Sequence, residues 1–158
     1  MDEKYEIDSL DLAILEYLQA DSRTAYTEIA RALEISGGTV HSRIDRMKEL
    51  GIIMGSKVII DYGKLGFNVT AFVGITLSKA GSFKKIQKQL HSIPEMVEVH
   101  YTTGTYSLFA KVVAKSMQDL YILLSEKLQR LGEVQSTETF VILNTPVNRD
   151  LGLLAFEE

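Results

Sequence analysis

The 158-residue sequence contains no cysteine. That single absence excludes disulfides, thiolate metal sites and cysteine nucleophiles. Histidine is scarce: His41, His91 and His100 stand at no metal-ligand spacing, so neither a zinc nor an iron site is expected. Neither a P-loop nor a G-x-G-x-x-G pattern is present. No apolar run approaches the ~18 residues of a membrane helix, so no membrane partner is expected. The opening Met1-Asp2-Glu3-Lys4-Tyr5-Glu6 is acidic and lacks a basic-then-apolar secretory pattern, which makes the cytoplasm the expected location.

Apolar residues make up 46% and charged residues 24%, as in ordinary globular domains. The net charge of -4 is unevenly spread. Residues 1–35 carry three basic and nine acidic groups, whereas residues 36–60 carry four basic and two acidic ones. A local basic patch on an acidic chain suits specific DNA binding and opposes strong nonspecific binding, because the long-range field repels phosphate.

Hydrophobic spacing predicts three helices in the first 50 residues. Asp8 caps the first, with Leu10, Ile14, Leu15 and Leu18 on one face. Thr24 is the expected cap of a second, over residues 25–33, with Ile29, Ala30 and Leu33 inward. Ser36 is the expected cap of a third, over residues 37–50, with Val40, Ile44, Met47 and Leu50 inward and Gly51 at its end. The Glu34-Ile35-Ser36 turn places glutamate where positive φ is needed, at a cost of ~1 kcal/mol. Residues 52–60 read as extended, and the turn-rich joint at residues 61–66 marks a domain boundary. The expected domains are residues 1–60 and 61–158.

The second half alternates between the two periods. Strands are expected over residues 69–77, 97–102, 106–113 and 134–143. Helices are expected from a Ser82 cap over residues 82–90, and from a Ser116/Asp119 capping box to about Leu131. The order β-α-β-β-α-β is ferredoxin-like. Such a sheet has both helices on one face, and Phe72, Val73, Ile75 and Leu77 look too apolar for the other to stay wet. A partner chain is expected to cover it. The fold class is therefore α+β, a winged-type helix-turn-helix followed by a ferredoxin-like domain.

The second and third helices have the spacing of a unit that lays its last helix in a major groove. Gly38, Thr39, His41, Ser42, Arg43 and Arg46 lie off the apolar stripe of that helix. Thr39, His41 and Ser42 suit base edges, and Arg43 and Arg46 suit guanine or phosphate. Tyr26, Thr27 and Ser36 complete the candidate surface, and Lys57 is placed to reach backbone phosphate.

In the second half, Thr102, Thr103, Gly104, Thr105, Tyr106 and Ser107 combine a glycine turn, whose backbone N–H groups can accept a carboxylate, with hydroxyls and a phenol. Gln135, Ser136, Thr137 and Glu138 form a second polar cluster, in which Glu138 could take an ammonium and Gln135 an amide. Taken alone, a hydroxyl-rich turn is more often an ordinary turn.

These stretches together resemble one family. Asp8 and Asp11 with Ile14-Leu15, Arg23 to Tyr26, Glu28 to Ala30, Gly38 to His41 with Arg43, and Gly51 to Ile53 with Gly55 resemble the Lrp/AsnC regulators. So do Tyr101 to Gly104, Tyr106-Ser107 with Phe109, and Gln135 to Thr139. Gly37 and Glu34 depart from the usual proline and glycine. The resemblance implies a DNA-binding transcription regulator with a RAM/ACT-like second domain that pairs sheet to sheet into dimers. It further implies rings, commonly of eight chains, and an amino-acid effector, asparagine being the one suggested, in clefts between dimers. No cofactor and no catalysis are implied. Two rivals stay open at this point: an RNA-binding module using Tyr106 and Phe109 on the sheet, and a small-molecule-binding enzyme domain, for which no nucleophile–base–orienter set can be assembled.

Overall fold

A computed structural model describes residues 6–79 and 81–156. The chain divides into two compact units. One comprises residues 6–59 together with 147–156, and the other residues 60–146, with 80 outside the described set. The division falls between residues 59 and 60, and the last residues return to the first unit instead of staying with the second. A short 3₁₀ turn, Leu153–Phe156, packs on the first helix, where the Leu154 N–H donates to Glu16 Oε1 at 3.0 Å.

In the first unit, α1 spans Ser9–Ala20, α2 Tyr26–Ala32 and α3 Gly37–Glu49. A reciprocal capping box opens α1, with Asp8 accepting from the Asp11 N–H and Asp11 from the Asp8 N–H. Ser36 caps α3 by accepting the Thr39 N–H at 3.0 Å. Thr24 does not cap α2. Its hydroxyl turns back to the Asp21 carbonyl at 2.8 Å, and Ala25 holds the cap position with no side-chain bond. Ile14, Ile29, Val40, Ile44 and Met47 are fully buried together. Each is worth roughly 1.5–3 kcal/mol of apolar burial, so this small core is what holds three short helices in place.

Two helices end in the same motif with different residues. After α2, Ile35 N–H reaches Ala30 O at 2.9 Å and Glu34 N–H reaches Arg31 O at 3.3 Å, with Glu34 at φ 55°. After α3, Ile52 N–H reaches Met47 O and Gly51 N–H reaches Lys48 O, with Gly51 at φ 72°. Both are Schellman closures, and the first carries the expected non-glycine strain. Residues 54–60, expected to be extended, form no helix and join no strand, and Met54, Val58 and Ile59 are almost wholly exposed.

The second unit holds β1 (Val69–Leu77), α4 (Phe83–His91), β2 (Met96–Tyr101), β3 (Leu108–Ala114), α5 (Met117–Ile122) and β4 (Val134–Val141). The antiparallel sheet has the order β2-β3-β1-β4, which is the ferredoxin-like arrangement. Ser116 caps α5 through the Asp119 N–H at 3.1 Å. The helix continues as a π turn over Leu123–Leu128 in place of the uniform α-helix expected. Ser82 is buried and helical, and its side chain makes no capping bond.

Register decides which side chains share a face. Ala71, Val73 and Ile75 line up with Val112, Ala110 and Leu108, and all pack under α4 and α5 with Ile86, Leu90, Leu120 and Leu123. Val73 and Ile75 therefore belong to the helix-covered core, as does Leu77 at its margin, and not to the open face where they were expected. Phe72 alone of that set faces the other way, in register with Lys111 and Phe140. It stacks on Phe109 at 5.4 Å, and Tyr106 and Phe140 complete an aromatic cluster there.

Candidate functional site

The surface of α3 is built by its caps and its narrow buried stripe. With Val40, Ile44 and Met47 inward, Gly38, His41, Ser42 and Arg46 are exposed and Thr39 is half-buried. The side chains are already ordered by local bonds. Ser36 and Thr39 share a hydroxyl hydrogen bond of 2.8 Å, and Ser42 Oγ donates to Thr39 O. His41 Nδ1 lies 2.8 Å from Asp45, and its ring meets Tyr26 edge-on at 5.7 Å. Tyr26 thus supports His41 from α2, beside an exposed Thr27. Arg46 pairs with Glu49 at 3.1 Å, and Lys48 with Asp45 at 3.7 Å. These exposed pairs along one helix are weak enough to be exchanged for phosphate. Lys57 is exposed in the irregular segment that follows.

Arg43 turns from α3 toward the start of α1. Its Nη1 sits 2.7 Å from both carboxylate oxygens of Asp8 and 3.0 Å from Asp11 Oδ1. Asp11 is fully buried. Arg43 also holds the Asp8 carboxyl below the ordinary carboxylate range, mainly through its hydrogen bond, and Asp8 in turn raises the guanidinium further. Asp8, Ser42, Arg43 and Arg46 line a shallow cleft of about 410 Å³. In the sequence Asp8 and Asp11 look like helix-end groups. The signal of a further role is Asp11's spacing, three residues before Ile14 on the apolar face, which puts a charge where only a partnered one can sit.

The second polar cluster is assembled by the sheet. The β2–β3 turn closes with Thr102 N–H on Ser107 O at 3.1 Å and Thr102 Oγ1 on Tyr106 O at 2.5 Å. Ser107 Oγ accepts the Leu77 N–H at 3.2 Å. Tyr106 lies across the open face and donates its phenolic hydrogen to Glu138 of β4. Its ring fits only because residue 74 is glycine: a Cβ there would stand 2.6 Å from the ring. Thr103, Gly104, Thr105, Gln135, Ser136 and Glu138 are exposed. Thr137 differs, being half-buried in register with Ile75 on the helix side. The structure brings Thr102, Tyr106, Ser107 and Glu138 together and leaves Thr137 on the opposite face. Among the described residues, no group of three or more Asp, Glu or His side chains could hold a metal. Nor is any helix among them long and apolar enough to cross a membrane.

Comparison with known proteins completes the picture. An AsnC-type helix-turn-helix domain matches residues 7–48, and the Lrp/AsnC ligand binding domain matches residues 70–151. The chain belongs to the Lrp/AsnC family. Regulatory protein AsnC of Haemophilus influenzae is 46% identical over 147 residues, covering 93% of this chain and 98% of that protein. Its Escherichia coli K12 counterpart is 42% identical over 149 residues, covering 94% and 98%. The solved structure of E. coli AsnC superposes with a TM-score of 0.89 at 40% identity, covering 94% of this chain and 99% of that one. As a member of the Lrp/AsnC family, the chain is a transcriptional regulator, not an enzyme, with a DNA-binding helix-turn-helix and a small-molecule ligand domain. That assignment places DNA binding in the helix-turn-helix domain of residues 7–48.

Proposed function

We propose that this regulator reads duplex DNA with the exposed residues of α3 and answers to an amino acid, asparagine, held by the Tyr106–Glu138 end of the sheet. The observation that carries the effector half is the meeting of two polar clusters. The hydroxyl turn at residues 102–107 and the β4 cluster at residues 135–138 are joined by one hydrogen bond from Tyr106 to Glu138. A zwitterion needs donors for its carboxylate and a carboxylate for its ammonium, and these clusters supply both kinds. Exposed backbone N–H groups and hydroxyls around Thr103 to Thr105 serve the first, and Glu138 the second. To bind there, the ammonium displaces or shares the phenol's bond to Glu138. Asparagine is the effector implied by the sequence's resemblance to asparagine-responsive regulators.

On the DNA side, Thr39, His41 and Ser42 take base edges, and Arg46 and Lys57, with Ser36, Gly38, Tyr26 and Thr27 around them, take phosphate or hold the surface. The chain works as a sheet-to-sheet dimer closed into a ring of eight. The aromatic cluster of Phe72, Phe109 and Phe140 gives such a dimer its apolar centre. The test is calorimetric titration of asparagine into the full chain, with Thr103→Ala and Glu138→Ala beside it. Heat of binding in the wild type that disappears in both variants, with unchanged circular dichroism, supports the site. Equal heats in all three proteins would remove it.

A further inference from the structure

We infer that Arg43 is a positioning residue, which fixes the attitude of α3 through Asp8 and Asp11 of α1 and so sets sequence discrimination without touching DNA.

Three observations carry this. First, α3 is anchored by a single narrow stripe, Val40, Ile44 and Met47, at spacings of four and three. A helix held along one line can roll about that line, and a roll moves Thr39, His41 and Ser42 along the base edges. Second, Arg43 flanks the stripe and ties it sideways to the first turn of α1. Its Nη1 lies among three carboxylate oxygens at 2.7, 2.7 and 3.0 Å. Those oxygens are themselves fixed. Asp8 and Asp11 exchange backbone hydrogen bonds in the capping box, so the carboxylates cannot swing without opening the helix end. Third, the guanidinium is already matched to carboxylates. Asp8 and Asp11 both face Arg43 at the edge of the cleft that Ser42 and Arg46 also line. To turn its Nη1 to a phosphate, Arg43 would have to leave the fully buried Asp11 carboxylate. Stripping a buried charge of its cation costs more than one phosphate contact returns.

The inference rests on α3 being the DNA-reading helix, and the test separates the two. A duplex is first enriched from a random-sequence pool by the full wild-type chain. Its affinity, and that of an unrelated duplex of equal length, are then measured across a salt series for wild type, Asp8→Asn and Arg43→Met. Asparagine caps a helix as well as aspartate does, so Asp8→Asn removes the charge and keeps the cap. Its fold is checked by thermal melting, and it carries the test if Arg43→Met does not fold. We expect Asp8→Asn and Arg43→Met each to weaken the enriched duplex about tenfold. The unrelated duplex should change less than about twofold, and the salt slope should be unaltered. The opposite signs overturn the inference. If Arg43 contacts phosphate or base, Asp8→Asn frees it and tightens binding, and Arg43→Met lowers the salt slope by about 0.9. If the wild type enriches no duplex, the DNA-reading role of α3 falls and this inference falls with it. Tight wild-type binding with unaffected variants removes only the role of Arg43.

Discussion

Tyr106 and Glu138 stand 32 positions apart in sequence and share a hydrogen bond from phenol to carboxylate across the open face of the sheet. The bond, with smaller contributions from burial and the carboxylate charge, raises the Tyr106 phenol above its ordinary value of 10.0. It exists because Gly74, between Phe109 and Glu138 in the register, leaves room for the ring. Gly74→Ala should drive the ring off the sheet and break the bond. We expect a stability loss of about 1–3 kcal/mol, the usual cost of overpacking, in denaturant titration. The Tyr106 phenol should also titrate closer to its ordinary value, followed by NMR of ¹³C-labelled tyrosine. An unchanged titration would mean that the ring does not depend on residue 74.

The strain at Glu34 gives a change of opposite sign. Its φ of 55° suits glycine, and the equivalent Schellman position after α3 is Gly51. Glu34→Gly relieves ~1 kcal/mol or more of left-handed strain and gives back part of it as unfolded-chain entropy. A net gain of about 0.5 kcal/mol in urea unfolding is expected, with DNA affinity unchanged.

Acid should loosen the first unit through Asp8. Its carboxyl titrates below 3.8, chiefly because Arg43 donates to it. A folded-state value depressed below the unfolded one means that the contribution is whole above pH 3.8. It is lost as pH falls through the lowered value. Asp8→Asn should therefore be less stable than wild type at neutral pH, with the gap closing in increasingly acid buffer. Melting temperatures followed by circular dichroism from pH 7 to pH 2 check the sign. Asp8 is half-exposed, so the gap will be modest.

The open sheet face supports a test of assembly. Phe72, Phe109 and Phe140 lie within 6.4 Å of one another or of Tyr106, ring centre to ring centre. Placing a charge among them by Phe72→Glu costs a dimer seated on this face far more than it costs the single chain, since only the dimer buries the charge. Sedimentation velocity should show the variant shifted to monomer while its far-ultraviolet spectrum persists. Unaltered sedimentation would place the interface elsewhere.

Element order was readable from the chain because its causes are local. Strand β1 was expected over residues 69–77 and spans Val69–Leu77, since alternation and its bounding turns sit within the strand. Asp8, Ser36 and Ser116 cap as expected because a cap bond reaches only three residues. Thr24 and Ser82 had the same composition signal and do not cap. Thr24 prefers the Asp21 carbonyl in its own turn, and Ser82 is already helical and buried. Propensity names the candidates for a cap without choosing among competing short-range partners. Val73 and Ile75 were put on the wrong face because a strand apolar on both sides has no phase to read. Register against Ala110 and Leu108 supplies that phase.

The sequence by itself determined the element order and the family, because caps, periodicities and motif spacings are written in neighbouring residues. Only the tertiary structure decided that Arg43 turns to Asp8, 35 positions away, that Tyr106 turns to Glu138, and that residues 147–156 rejoin the first unit. Those pairings depend on which surfaces meet once the cores close. A charged or polar side chain takes the nearest partner in space, whatever its place along the chain.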